Sequence, residues 1–438
     1  MTVSFFLGCS KGRKNQNGPQ TAGGIKIEIV SGNNFTDTID RYDAVTLKVT
    51  QNEAPIGGYK VYYHGSGCNA DHVDSSVTAT DGITGYNWSL SGELGLQTLG
   101  VYGSNAQHQK VDSITVTGTG IAPGIGWHAA SCAIFTGFNP WSYCKLSTGR
   151  IFANFMNGST FLRYSDDNGR SWFPVKGLGN QHEIEFVIST PADEVLAITY
   201  TDGVLYSNDA GQSWTVMNAQ EFYTETVLSA VYTAEGKLLV TTTQHPLCIS
   251  SDKGKTWTNT SISQFVPINS VQSANGQDGL FMSAAEDATG NLYVTADESQ
   301  TIYKSTDNGA SWVPLPNGPF GAAYSFYIDK NNWFYKSEIG DMYGGIYISK
   351  DGGTTWTPLA SDSNVAIHDI SLQSDGNLYS IINQQGLCVE KNATGPIKPL
   401  YSDNGAPTFM GHVPYIVAAN NNIVITNEEY SRIFYYQY

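Results

Sequence analysis

No long stretch of this chain places apolar residues at the 3.6-residue spacing of a helix face, and that absence argues against a helical architecture. No apolar run is long enough to cross a bilayer as a helix. Basic residues are scarce: 23 Lys and Arg stand against 39 Asp and Glu in 438 residues, a formal net charge of −16. Such a balance argues against a nucleic-acid partner, whose phosphates favour a basic face, and weakly against adhesion to anionic lipid. Cysteine is sparse as well, and the spacings of the 6 present follow no zinc-ligand pattern. Cys248 and Cys388 occupy equivalent apolar settings (Leu247-Cys248-Ile249 and Leu387-Cys388-Val389) and read as small core residues. Export would leave open a pair between Cys132 and Cys144.

What the chain has in abundance is Gly, Tyr and Phe, and one eight-residue pattern that recurs five times. It reads Ser165-Asp166-Asp167-Asn168-Gly169-Arg170-Ser171-Trp172 at first, and returns at 207–214, 250–257, 305–312 and 349–356. The shared form is S-x-D-x-G-x-[ST]-W. Each copy follows a short apolar run such as Val204-Leu205-Tyr206 or Thr301-Ile302-Tyr303 and leads into another strand-like run. The pattern reads as a hairpin turn. An Asp carboxylate folds back onto turn N–H groups, Gly supplies the positive φ of a tight reversal, and Trp anchors the outgoing strand.

These residues resemble the Asp-box (BNR) repeat of the sialidase superfamily and of related β-propellers. The resemblance implies an all-β propeller in which Asp167, Asp209, Asp252, Asp307 and Asp351 are structural and lie away from the ligand site. The five aspartates are 42, 43, 55 and 44 residues apart, the length of one four-stranded blade. In one blade, 185–190, 195–200, 204–207 and 213–217 read as the four strands. Two further blades lack a good box, one over Asp369–Glu390 and one over Val413–Tyr436. The last has three strands, and Gly126–Phe135 is the natural donor of a fourth, closing the ring without a free edge. The expectation is seven blades over 125–438.

Ahead of the propeller, Ile25 to about Gly120 forms a separate unit of alternating strands, such as Ile25-Lys26-Ile27-Glu28-Ile29. Thr80-Asp81-Gly82, Tyr86-Asn87-Trp88-Ser89-Leu90, Gly95 and Val101 resemble a bacterial Ig-like domain of the invasin type, with Trp88 in its core. The resemblance implies a stalk or spacer over 25–120. Residues 1–24 read as a signal remnant and polar tether. Phe6-Leu7-Gly8-Cys9 resembles a lipobox, which implies lipidation of Cys9 and membrane contact through lipid alone.

Function is read from loops. Adjacent strands in a blade are antiparallel, so the boxes share a rim with the turns between first and second strands. The opposite rim carries the between-blade loops and the links between second and third strands. Between blades lie His182, Glu183, Tyr223, Tyr324, His368 and Asp369. Inside blades lie Tyr200-Thr201-Asp202, Gln244-His245, Asp297, Glu298, Glu338, Tyr343, Glu428 and Tyr430. Aromatic rings mixed with carboxylates and imidazoles suit a sugar, whose C–H faces stack on rings while its hydroxyls take directed bonds. No cofactor is implied. The His residues fall in separate blades, which argues against a metal, and Asp166–Gly169 lacks the distal Glu of a calcium loop.

A sialidase needs three Arg for the substrate carboxylate. The propeller has Arg150, Arg163, Arg170 and Arg432, with Arg170 inside a box and Arg150-Ile151-Phe152 lacking the Pro of the family motif. No triad assembles from these. Another glycosidase needs two carboxylates about 5–10 Å apart, for which Glu183 with Asp369 or Glu338 with Glu428 are candidate pairs. No catalytic residue is assigned. The leading expectation is a secreted or cell-surface bacterial lipoprotein whose propeller binds a glycan. A glycoside hydrolase using rim carboxylates comes second, and a docking scaffold for other envelope proteins third.

Overall fold

The structure is a computed structural model. It describes residues 24–39, 42–65, 73–91, 94–104, 109–123, 126–130, 140–155, 161–178, 182–200, 202–218, 226–242, 245–264, 283–296, 301–315, 322–339, 345–361, 367–372, 378–382, 386–390, 398–399, 416–419, 422–427 and 432–437. The chain is all-β: among these residues the one helical element is a 3-10 turn, Ser261–Gln264. No helix among them is long and apolar enough to cross a membrane. The chain divides into two compact units, one up to Ile121 and one from Ala122 onward, with the short segments 38–40 and 91–94 grouped with the second.

In the first unit Tyr42–Gln51 pairs antiparallel with Ile25–Ser31, with Ile83–Ser89 and with the short Ala54–Pro55. A second sheet runs in the order Phe35–Thr38, Lys110–Ile121, Gly95–Ser104, Lys60–Gly65, Val73–Val77. Period-2 alternation sends one face of each inward. Gly95–Ser104 buries Leu99 and Val101, and Tyr42–Gln51 buries Val45, Leu47 and Val49, all in one shared core. Trp88 is in that core at 3% exposure, edge-on to Phe35 at 5.4 Å between ring centres.

The second unit contains, among the described residues, seven four-stranded antiparallel sheets. Their first strands are Pro140–Lys145, Ile184–Ser189, Val227–Tyr232, Ala284–Glu286, Ala322–Ile328, Ile367–Leu372 and Ile416–Ala419. Each first strand touches the next, and the seventh touches the first, in an unbroken circuit. The seventh sheet is completed by Gly126–Ala129, which pairs with Arg432–Gln437 in the register Gly126 to Gln437 and Ala129 to Phe434. Apolar clusters fill the space between successive sheets. Ile188, Leu196 and Ile198 of the second sheet, for example, pack with Ala230, Leu238 and Val240 of the third. This covers the second strands on both faces, and Val195–Thr199 is buried throughout.

The repeated boxes are the turns between third and fourth strands. In the first, Ser165 Oγ accepts from Gly169 N at 2.8 Å and donates to Asp167 Oδ1 at 2.8 Å. Asp167 Oδ1 accepts from Ser171 N at 2.9 Å, and Oδ2 accepts from the Ser171 hydroxyl. Trp172 Nε1 closes the turn onto Gly169 O at 3.1 Å. Asn168 and Gly169 carry φ of 60° and 82°, the left-handed conformation the reversal demands. The other four boxes repeat the Ser–Gly, Asp–Ser/Thr and Trp–Gly bonds. In three of them the Ser213, Thr256 and Thr355 hydroxyls, with backbone N–H groups, pull Asp209, Asp252 and Asp351 down to about 2. Cys144 is a buried free thiol whose ionisation burial pushes up, and Cys132 lies outside the described residues.

Candidate functional site

The two rims of the second unit are chemically different. On the box rim, neighbouring sheets are laced together by turn residues. Arg150 reaches Asp166 at 2.6 Å and also donates to Ala210 O in the next sheet's box at 2.7 Å. Ser147 N, in the first sheet's first turn, donates to Asp193 Oδ1 in the equivalent turn of the second at 2.7 Å. Lys253 in the third box pairs with Glu194 of the second sheet at 2.6 Å. These polar groups are used up in holding sheets together.

The opposite rim of the second sheet carries a cluster of titratable groups. Thr199 ends the second strand. Its Oγ1 donates to Gly203 O at 2.9 Å and accepts from Asp202 N at 2.8 Å, while Gly203 turns at φ 73°. That clamp fixes the link on which Asp202 stands. His182, just before the first strand, meets it: Nδ1 lies 2.8 Å from Asp202 Oδ2, with the two side chains 23% and 34% exposed. Glu183 stands beside His182, and its carbonyl accepts from Tyr200 N at 2.7 Å. An imidazole held by one carboxylate, with a second carboxylate next to it, can donate and accept toward a hydroxyl-rich ligand.

The first strands share a deformation at this same end. Their registers slip across Pro140/Ser142, Ile184/Phe186, Val227/Ser229, Ala323/Ser325 and Ile367/Asp369. One residue is thereby inserted in each of five sheets: Trp141, Glu185, Leu228, Tyr324 and His368. Bulges re-aim side chains and end regular pairing, and they gather at sheet edges and sites. Glu185 is 6% exposed, takes a hydrogen bond from Val227 N in the third sheet, and its Oε2 has no partner. Burial chiefly, with the Glu183 charge adding to it, pushes its carboxyl up to about 7.

The structure brings His182 and Glu183 together with Asp202 and Glu185. The sequence pointed to the 200–202 link but not to Asp202 as a site group, and it gave no sign of Glu185. Four other sequence candidates are corrected. Tyr324, His368, Asp369 and Glu338 are not loop residues but lie within strands Ala322–Ile328, Ile367–Leu372 and Phe334–Ile339. The physical reason is that pairing resumes beyond the bulge, as Ala322 with Ile339 and Ile367 with Ile382, so these strands run further toward the rim than a period-2 reading of the sequence suggests. Register nonetheless places Tyr324 beside the Ala323–Glu338 pair, and His368 beside the Asp369–Ile381 pair. Tyr223, Asp297, Glu298, Tyr343, Glu428, Tyr430 and Cys9 lie outside the described residues. No group of three or more His, Cys, Asp or Glu that could hold a metal occurs among the described residues.

The profile of the BNR/Asp-box repeat matches residues 347–358, around the fifth box. No curated protein matches the chain in sequence. Among solved structures it is similar to YCF48 bound to D1 peptide, at 13% identity and TM-score 0.52, over 72% of this chain and 97% of that one. It is similar to the extracellular domain of BT4673 from B. thetaiotaomicron, at 12% identity and TM-score 0.51, over 91% of this chain and 57% of that one. Virginiamycin B lyase from Staphylococcus aureus matches at 11% identity and TM-score 0.50, over 72% and 99%. At these identities the likeness shows the fold, and the fold is a β-propeller with Asp-box turns.

Proposed function

We propose that this chain is a bacterial cell-envelope protein whose seven-bladed propeller binds carbohydrate on the rim opposite the boxes. In this reading the N-terminal Ig-like unit is a spacer, and Cys9 is the lipidated residue that ties the chain to a membrane. Likeness to an extracellular domain is in keeping with exposure outside the cell. The observation that carries the proposal is the His182–Asp202 contact at 2.8 Å with Glu183 alongside. It supplies directed polar groups on the rim opposite the boxes. Tyr324 and His368 stand at the bulged ends of their first strands on the same rim, and add an aromatic and a second imidazole to its composition.

The test is a panel of neutral, amino and uronic-acid oligosaccharides presented to the full chain, followed by turnover assays on every binder. Binding without turnover is the expected result. His182→Ala should then weaken the best binder roughly tenfold, about 1.4 kcal/mol, with the melting temperature unchanged. Turnover of a bound oligosaccharide would replace this reading with that of a glycoside hydrolase. Silence across the panel would leave a docking scaffold for envelope proteins.

A further inference from the structure

Glu185 is out of place as a structural residue. The inserted position it occupies recurs in four other first strands, and there it is filled by Trp141, Leu228, Tyr324 and His368. Leu228, one sheet further on, packs partly against an apolar cluster. The bulge itself therefore asks for no charge. A carboxylate at 6% exposure with one bare oxygen is costly, because burial favours its neutral form and the Val227 N–H repays the charged one only in part.

We propose that Glu185 is the positioning residue of the rim site, holding the His182–Glu183 segment in its binding geometry while its carboxyl carries a proton and releasing it on ionisation. The contacts explain how. Glu185 stitches three sheets: its carboxylate accepts from Val227 N in the third, and its carbonyl accepts from Asn154 Nδ2 of the first at 3.0 Å. Two residues upstream is Glu183 and three upstream is His182, so any shift of Glu185 is passed along the chain directly to the site.

Among the described residues, the groups around it offer an anion little relief beyond the Val227 N–H. On its own segment the titratable neighbours are Glu183, whose charge opposes ionisation, and His182, which is already engaged with Asp202. The facing strand Val227–Tyr232 brings only Tyr232, at its far end, and the first sheet brings the neutral Asn154 together with Tyr143, Cys144 and, at the far end by Ser189, Lys145. With its carboxyl pushed up to about 7, Glu185 changes state near neutrality. An ionised Oε2 without a partner is relieved by opening the segment to water. The device lies at the bulge, where the ladder is already interrupted and local opening is cheapest.

The proposal rests on the carbohydrate reading only for its second readout. The first is hydrogen exchange by mass spectrometry on the full chain at pH 6 and pH 8, corrected for intrinsic rates. Protection of peptides over 182–190 and 226–232 should fall about tenfold between the two, and peptides over the boxes should not change. Glu185→Gln keeps the shape without the titration and should abolish the difference. Glu185→Leu, which copies the residue of the next sheet, should do the same and serves if the Gln variant folds poorly. Equal pH dependence in wild type and variants overturns the proposal whatever the ligand. The second readout is affinity for the tightest oligosaccharide of the panel, which should weaken about tenfold from pH 6 to pH 8 in wild type and stay flat in Glu185→Gln. Binding that is flat in both would remove the positioning role. If no oligosaccharide binds, the carbohydrate reading fails while exchange alone decides the role of Glu185.

Discussion

Asp287 offers the sharpest test of how the propeller's turns are held. It sits between the first and second strands of the fourth sheet, Ala284–Glu286 and Leu292–Ala296, and is 8% exposed. Oδ1 accepts from Thr289 N, Thr289 Oγ1 and Asn291 N at 2.9, 2.7 and 3.0 Å. Oδ2 accepts from Asn291 Nδ2 at 2.8 Å and from the buried Tyr293 hydroxyl at 2.9 Å. Burial alone would raise its carboxyl, but the bonds from Thr289, Asn291 and Tyr293 outweigh it and hold the pKa at about 2. Against an unfolded value near 3.9, that gap corresponds to about 2.5 kcal/mol of stability at neutral pH. Because the folded pKa is the lower one, this stabilisation is whole well above pH 4 and disappears as pH falls toward 2. Asp287→Ala should therefore lower stability by about 2–4 kcal/mol at pH 7, orphaning the Tyr293 hydroxyl as well as losing the charge. Urea unfolding of the full chain, followed by tryptophan fluorescence at pH 7 and at pH 2.5, reads both effects. The midpoint gap between wild type and variant should be wide at pH 7 and narrow at pH 2.5. A gap of the same width at both pH values would show that the charge contributes nothing, and no gap at pH 7 would refute the turn argument altogether.

Asn154 should behave as a buried knot between the first two sheets. Its Oδ1 accepts from Ser142 N and Oγ at 2.7 and 2.8 Å, and its Nδ2 donates to Ile184 O and Glu185 O at 3.0 Å each. Asn154→Ala removes four buried hydrogen bonds and should cost about 2–4 kcal/mol, measured as a lowered thermal midpoint. Gly254 of the third box has φ 91°, and a Cβ there would stand 2.5 Å from Val204 Cγ2. Gly254→Ala should destabilise by about 1–3 kcal/mol in urea unfolding, and adding Val204→Ala should recover only the steric part.

Much of the fold was legible because the chain repeats one turn whose chemistry is local. Ser, Asp, Gly, Ser or Thr, and Trp within eight residues dictate a reversal wherever they occur, so the spacing of the boxes yields the length of a sheet. The pairing of Gly126–Ala129 with Arg432–Gln437 was also foreseeable, since a three-stranded terminal sheet leaves an edge to be covered. The site was less legible, and the bulges explain why. Period-2 reading assumes an unbroken alternation, so a residue inserted at the rim end of a strand looks like the last residue of a loop. This displaced Tyr324 and His368 into loops and gave no reason to single out Trp141 or Leu228.

Glu185 escaped notice for a related reason. In Ile184-Glu185-Phe186-Val187 a lone acid between apolar residues reads as the solvent-facing position of a half-buried strand. In a propeller the sheets stack on both faces of one another, so no such solvent face exists near the first strand, and the acid is enclosed instead. Sequence can show the composition of a strand but not which of its faces are covered, because coverage comes from sheets about forty residues away. Chain separation hides the His182–Asp202 contact in the same way. Asp202 is fixed by Thr199 and Gly203 within its own link, yet the contact exists only because antiparallel pairing returns that link to the rim where His182 begins. Residue types on a loop give a site's vocabulary, whereas which of them meet is decided by register.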